Sequence, residues 1–138
     1  MNKRNLPSLK ALFTGCLATA MLAGCGTMSK APELSVRERA TQRWSALIAN
    51  DLEKSYSYMP PSYRAATPLD RYKNGFKGGL KWTGAEVVWV KCDTDDRCEA
   101  RLKIDAQLGM PRNAPPLTNY FNETWVREEG NWWLFPTP

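Results

Sequence analysis

The spacing of the apolar residues changes once along the chain, near residue 80, and the change separates helices from strands. Before residue 80, apolar residues recur at steps of three and four, which is typical of helices that bury one side. After it they recur at every second position, which is typical of strands that bury one face. The pattern predicts an α+β domain in which N-terminal helices pack on a curved, mainly antiparallel four-stranded sheet.

Three helices are predicted, and each begins at a capping signal. The first starts at Ser35, which forms a capping box with Glu38. Asp51 caps a second, short helix that ends before the prolines at 60–61, and Thr67 caps a third. The first helix has an apolar stripe made of Val36, Ala40, Trp44, Leu47 and Ile48. Its polar residues fall mostly on the other side, toward water: Arg37, Arg39, Gln42 and Arg43.

Four strands are predicted, at residues 82–92, 98–108, 117–127 and 132–135. The middle of the first strand is apolar on both faces, which predicts that both faces are covered. Residues 128–131 form a tight hairpin with Gly130 at a positive φ. The second strand alternates cleanly, and its core positions are Ala100, Leu102, Ile104, Ala106 and Leu108.

The N-terminal segment has the composition of a signal peptide. A basic start precedes an apolar stretch that is too short, and too rich in Gly and Ala, for a good membrane-spanning helix. The stretch ends at Leu22-Ala23-Gly24-Cys25, which resembles the lipobox of bacterial lipoproteins. The resemblance implies that residues 1–24 are removed and that Cys25 becomes the lipidated N-terminus. An uncleaved membrane anchor is the alternative.

This segment sets the expected location and domain plan. Gly rather than Asp stands at position 26, which by resemblance to lipoprotein sorting rules implies the outer membrane, with the protein facing the periplasm. The acyl chains would hold the protein on the bilayer by hydrocarbon burial. The chain then divides into a signal peptide at 1–24, Cys25 with a tether at 25–34, and one α+β domain at 35–138.

Composition excludes several classes of function. The chain has 19 basic and 14 acidic side chains, and three of the basic ones leave with the signal peptide. Interspersed charges without a basic stripe predict no nucleic-acid partner. The chain contains no His, which excludes a His general base, a Ser-His or Cys-His nucleophile and nearly all zinc sites. We therefore predict no cofactor and no metal.

Two cysteines of the predicted domain, Cys92 and Cys98, flank a turn between two strands. Antiparallel pairing would place them opposite each other, within reach of a disulfide. A redox pair or a metal site is the alternative, but the spacing matches neither a Cys-x-x-Cys motif nor a common zinc site. The three aspartates of the turn lack the Gly and Glu of an EF-hand loop, which favours a solvated acidic turn over a calcium site.

Glu123 is the best single candidate for a functional acid. It lies between Phe121 and Trp125 on one face of the third strand, where burial would raise its pKa. The favoured interpretation is nevertheless a Glu on the sheet surface, paired with Arg101 or Lys103.

The tryptophans near the C-terminus predict a second apolar surface. Trp132 and Trp133 are adjacent in a strand and therefore point to opposite faces. One belongs to the core, and the other, with Trp125 or Trp89, is expected on the outer face of the sheet. Two interpretations stay open: a helix or loop covers that face, or the face binds a partner, since Trp is enriched at interfaces.

The order of elements resembles that of the nuclear transport factor 2-like superfamily, in which a curved sheet wraps round helices into a cone. The resemblance is carried by residues 44–64, with the break at Asn50-Asp51, and by residues 120–134, with their Trp-rich hairpin. It covers about residues 35–138 and extends to small envelope lipoproteins of this fold. The superfamily includes isomerases and dehydratases with Asp, Tyr or His in the cone. No catalytic residue is carried over, because the chain has no His and no Asp is predicted to face the cone.

The resulting hypothesis is a non-catalytic lipoprotein, anchored to the outer membrane, whose domain binds an envelope protein or a small apolar ligand. The expected binding residues lie at the mouth of the cone and on the outer sheet face: Tyr56, Tyr63, Tyr72, Phe76, Trp125 and Trp133. One alternative is an isomerase or hydrolase that uses Glu123 as a buried acid or base beside Tyr120 or Tyr72. A second alternative is a structural homodimer.

Overall fold

A computed structural model describes residues 30–109 and 115–136 of the chain. The helices are α1 (Pro32–Ile48), α2 (Leu52–Tyr56), α3 (Pro61–Ala66) and α4 (Leu69–Asn74). The strands are β1 (Leu80–Thr94), β2 (Arg97–Leu108), β3 (Leu117–Glu128) and β4 (Asn131–Phe135). The predicted signal peptide, Cys25 and most of the predicted tether lie outside the described residues.

The four strands form one antiparallel sheet in the order β1-β2-β3-β4, and the helices pack on one of its faces. The predicted α+β fold, with helices on a four-stranded sheet, is confirmed. The core between the two layers is built from apolar side chains of α1 and from alternate residues of the strands. Within the described residues, no helix is long and apolar enough to cross a membrane.

Helix α1 begins three residues before the predicted start. Pro32 stands in its first turn, where proline's missing N–H costs nothing, and Ser35 donates its N–H to the carbonyl of Ala31. No side chain caps the helix, so the predicted capping box was wrong, and residues 32–34 belong to the helix rather than to a tether. The helix ends at Ile48, and the φ of 58° at Asn50 allows the Asp51 N–H to donate to the carbonyl of Ala46.

The short helices were predicted in part. Asp51 caps α2 through a bond from the Lys54 N–H of 3.0 Å, as predicted. Helix α3 was missed, because its length of six residues is too short to show a clear apolar period. In α4, Pro68 occupies the N-cap position and Thr67 makes no cap, so that predicted cap was wrong.

Strand β1 departs from regular alternation, which overturns its predicted faces. A register shift between Val87 and Trp89 turns the strand, so that Val87 and Val90 both pair with core residues of β2. Val88 is 44% exposed on the other side. The prediction that both faces of this strand are covered was therefore wrong.

Strand β2 follows its predicted alternation, and four of its five predicted core residues are buried. Leu108, at the end of the strand, is exposed. Cys92 of β1 lies directly opposite Cys98 of β2, and the two are joined by the predicted disulfide.

The hairpin between β3 and β4 closes with two residues, Glu129 and Gly130, both at positive φ. This is the conformation that a two-residue hairpin turn requires. The free edge of β4 is tied to the helical layer, because the Leu134 N–H donates to the carbonyl of Tyr58. The hairpin thus fixes the end of the sheet over the segment that joins α2 to α3.

Candidate functional site

A cavity of about 410 Å³ lies between the helices and the β3–β4 side of the sheet. Its walls are largely aromatic and apolar, with a charged pair among the lining residues. The lining side chains include Arg43, Trp44, Met59, Tyr63, Tyr72, Trp82, Phe121, Glu123 and Leu134. A pocket of this size and composition is typical of a small-molecule site.

Glu123 is the centre of the polar part of this cavity. Its Oε1 accepts hydrogen bonds from Arg43 Nη1 at 2.7 Å and from Trp44 Nε1 at 2.9 Å. Its Oε2 accepts from Trp125 Nε1 at 3.2 Å. All three partners are groups that can only donate, so they suit the four lone-pair positions of a carboxylate.

The surroundings of Glu123 shift its ionisation. Burial raises the pKa of Glu123 above the usual range, and the Arg43 guanidinium and the two indole N–H groups oppose that rise. The side chain is only 7% exposed. The favoured interpretation, a surface Glu paired with Arg101 or Lys103, was therefore wrong. Arg101 bonds Asn122 instead, and Lys103 pairs with Tyr120 on the outer face.

Arg43 was predicted to face water, but its side chain is only 9% exposed. Its Nη1 forms the ion pair with Glu123, while its Nε is buried without a hydrogen-bond partner. A buried donor without an acceptor is uncommon and costly. This Nε is enclosed by protein rather than open to the cavity, whose other polar lining residues are Asn122 and Thr124.

The four predicted mouth residues divide into two pairs. Tyr63 and Tyr72 line the cavity, and the Tyr72 hydroxyl lies 2.7 Å from Ser55 Oγ. Tyr56 instead links the helices, since its hydroxyl donates to the carbonyls of Arg64 and Thr67. Phe76 lines a separate cavity of about 270 Å³.

Two of the tryptophans considered for the outer face, Trp125 and Trp133, form no open apolar surface there. Trp125 is fully buried in the core, where it bonds Glu123. Trp133 is half-buried, with the guanidinium groups of Arg39 and Arg64 against its ring. Trp89 does lie on the outer face, where it pairs with Arg101 and has Lys91 against its half-buried ring. The predicted outer face was therefore wrong for Trp125 but not for Trp89.

Tyr120 points outward, at 49% exposed, so it does not lie beside Glu123. Tyr72, the other tyrosine named in the enzymatic alternative, lines the same cavity as Glu123.

The ion pair between Arg43 and Glu123 was not predicted from the sequence, although the positions of both residues in the apolar pattern indicated burial. Arg43 follows Ala40 by three residues and precedes Leu47 by four, so it lies within the apolar stripe of α1. Glu123 occupies a core position of β3 between two aromatic residues. A positive charge on one buried face and a negative charge on another predict a buried ion pair, because burying either charge without a partner would cost too much free energy.

No model of a known protein family matches the chain, and no curated protein matches it. Two solved SEC-C motif containing proteins are similar in fold. The protein from Rhodopseudomonas palustris has a TM-score of 0.56 at 13% identity, covering 76% of this chain and 77% of that chain. The protein from Psychrobacter arcticus has a TM-score of 0.59 at 16% identity, and the match covers 74% of this chain. This chain spans 59% of the length of the Psychrobacter arcticus protein.

A computationally designed 17-OHP binder is less similar, with a TM-score of 0.49 at 11% identity over 78% of this chain and 95% of that chain. For the two SEC-C motif proteins, sequence identities this low show a shared fold and nothing about activity. Function therefore has to be argued from the cavity itself.

Proposed function

We propose that this protein is a non-catalytic lipoprotein, anchored to the outer membrane and facing the periplasm, that binds a small, largely apolar ligand in the Glu123 cavity. The observation that carries the proposal is the cavity of about 410 Å³ with aromatic walls and a charged pair among its lining residues. A concave site of this kind suits a small molecule better than the flat surface of a protein partner.

The lining residues indicate what such a ligand looks like. Tyr63, Trp82 and Phe121 offer apolar surface to a ring or a short hydrocarbon body. The polar side chains of Asn122 and Thr124 also line the cavity and can form a hydrogen bond with one polar group of the ligand. The favoured ligand is therefore mainly apolar and carries one hydroxyl or carbonyl group.

The geometry of Glu123 supports binding rather than acid–base chemistry. Both carboxylate oxygens already accept bonds from side chains that cannot take up a proton at ordinary pH. A general base needs a free lone pair within hydrogen-bond reach of the substrate proton. The three bonds use three of the four lone-pair positions of the carboxylate and fix both oxygens, so a substrate proton could reach only the remaining position on Oε2.

The proposed anchor rests on the N-terminal segment. A lipid on Cys25 would leave only a few residues before α1 begins at Pro32. A flexible linker of that length reaches on the order of 15 Å. The domain would stay near the bilayer, where apolar molecules concentrate. Conversion of Cys25 to Ser should abolish incorporation of labelled palmitate in cells, and retained label would contradict the anchor.

The binding proposal can be tested by nuclear magnetic resonance on the full chain in a neutral maltoside detergent, with 4-ethylphenol as the probe. We expect a saturable shift of the Trp44 indole N–H, because that group lies at the cavity and donates to Glu123. Tyr63→Ala removes a cavity wall and should weaken binding about tenfold.

Tyr120→Ala is the matched control, since it removes an exposed tyrosine from the outer sheet face. It should leave the affinity for 4-ethylphenol unchanged. Equal effects of the Tyr63 and Tyr120 substitutions, or shifts that never saturate, would contradict binding in the cavity.

A further inference from the structure

Two arginines share the indole ring of Trp133, on the β4 side of the domain. The guanidinium carbon of Arg39 lies 5.4 Å from the ring centroid, and that of Arg64 lies 5.5 Å from it. Arg39 also lies 4.9 Å from the ring centroid of Tyr58. The guanidinium groups of one arginine from α1 and one from α3 thus both contact the Trp133 ring of β4.

Neither arginine has a carboxylate partner in the part of the chain that the structure describes. The ion pairs formed by residues 30–109 and 115–136 are Lys30–Glu38 and Arg43–Glu123. The Nε atoms of Arg39 and Arg64 are both buried and lack a hydrogen-bond acceptor. Aromatic rings attract the cations but leave these N–H donors without an oxygen.

Burial has a measurable electrostatic consequence at Arg39. Loss of water lowers the pKa of its guanidinium, against a smaller opposing effect of Tyr58. Arginine nevertheless stays charged at physiological pH. The cluster therefore holds positive charge that is partly removed from water and is not balanced by the described residues.

Arg101 shows what an ordinary surface arginine on an aromatic ring looks like in the same molecule. Its guanidinium lies 5.7 Å from the Tyr120 ring centroid, on the outer face of the sheet. Its Nη1 donates to Asn122 Oδ1 at 2.8 Å. Arg39 and Arg64 have the aromatic contact, but no described residue supplies an acceptor oxygen to their Nε atoms.

We propose that Arg39, Arg64 and Trp133 form a binding site for a phosphate group. A phosphate offers several oxygens, and planar guanidinium groups bind such oxygens through strong, charge-assisted hydrogen bonds. The indole ring holds the arginine side chains in place before binding, which lowers the entropy cost of ordering them. This site is separate from the Glu123 cavity, whose lining residues do not include these three.

The phosphate can belong to a membrane lipid or to a soluble compound. Arg39 lies seven residues beyond the start of α1, or about 10 Å along the helix axis. If Cys25 carries a lipid, which rests on the proposed function, this end of the domain faces the bilayer. A lipid headgroup would then be within reach of the cluster.

The test uses the full chain in a neutral maltoside detergent and inorganic phosphate as the first probe. We expect saturable shifts of the side-chain Nε–H signals of Arg39 and Arg64. Arg39→Gln and Arg64→Gln should each weaken phosphate binding about tenfold or more, because each removes a charge-assisted bond. Arg101→Gln is the matched control and should leave phosphate affinity unchanged. Absence of saturable binding, or equal losses in all three variants, would overturn the proposal.

Two further arms keep the result interpretable. Arg39→Lys keeps the charge but loses the planar fork, and we expect intermediate affinity for phosphate with an otherwise unchanged spectrum. Phosphatidylglycerol added to the micelles identifies the source of the phosphate. Displacement of inorganic phosphate from the cluster supports a lipid headgroup, whereas phosphate binding that the lipid does not affect supports a soluble phosphate compound. The 4-ethylphenol titration is independent of this test, so failure of one proposal leaves the other standing.

Discussion

Arg39 and Arg43 lie one turn apart on α1, yet the surroundings of their guanidinium groups differ. Arg43 is buried and meets a carboxylate of its own chain, at 2.7 Å from Glu123. Arg39 is half-buried, lies between the rings of Tyr58 and Trp133, and meets no carboxylate of the described residues. One charge is balanced by a carboxylate of the described residues, and the other is not. The free-energy cost of burying an arginine therefore depends on whether a counter-charge lies beside it.

The largest expected effect comes from removing the internal counter-charge. Glu123→Leu leaves Arg43 charged and buried, and it leaves the indole N–H groups of Trp44 and Trp125 without an acceptor. We expect the free energy of unfolding in urea to fall by about 3–5 kcal/mol. The double variant Arg43→Met with Glu123→Leu should recover much of that loss, since no charge is then stranded. A single-variant loss below about 1 kcal/mol would contradict a buried pair.

The pH dependence of stability sharpens the same comparison. Burial raises the pKa of Glu123 in the folded state. The Glu123 carboxyl group therefore keeps its proton to higher pH in the folded protein than in the unfolded chain. The contribution of Glu123 protonation to the free energy of unfolding is complete below the pKa of Glu in the unfolded chain. It is lost as the pH rises through the pKa of Glu123 in the folded protein. The difference in unfolding free energy between the wild type and Glu123→Leu should therefore shrink over that window. A difference that grows with pH would show that Arg43, rather than burial, dominates.

A smaller effect is expected at the other arginine. Arg39→Gln removes contacts with two aromatic rings but strands no opposite charge among the described residues. We expect a loss of about 1 kcal/mol in the free energy of unfolding. Arg43→Gln, the matched substitution one turn along the same helix, should cost at least about twice as much. Similar losses for the two glutamine variants would remove the distinction between them.

The smallest effect concerns the ring that supports Arg39. Tyr58→Phe keeps the aromatic face and loses the hydroxyl bond to Gln42 Oε1 of 3.0 Å. We expect a cost of about 0.5–1 kcal/mol in urea unfolding and no change in phosphate affinity. Weaker phosphate binding in this variant would show that the hydroxyl, and not the ring, serves the cluster.

Local patterns predicted the sheet better than the site. The alternation of β2 and the pairing of Cys92 with Cys98 follow from residues adjacent in sequence or in register. The β1 bulge at Val87–Trp89 could not be inferred, because a bulge needs no special residue and reverses every face beyond it. Local spacing therefore gave the strands but not the faces of β1.

The candidate site needed information that no local pattern contains. Arg43 and Glu123 each lie on the apolar face of their own element, but they are 80 positions apart, so the sequence does not show that the two faces meet. Only the packing of α1 on β3 shows that the two charges are buried against each other. Contacts from α1 and α3 likewise place Arg39 and Arg64 against the ring of Trp133 on β4.

The measurement that tests the central claim most directly is native mass spectrometry of the full chain, extracted from bacterial envelopes in a maltoside detergent. We predict a bound small molecule of defined mass, present in the wild type and in Tyr120→Ala and depleted in Tyr63→Ala. The fragment masses of that molecule should indicate a mainly apolar compound with one oxygen-bearing group. A chain that is empty in all three samples, or a ligand retained equally by Tyr63→Ala, would contradict binding in the Glu123 cavity.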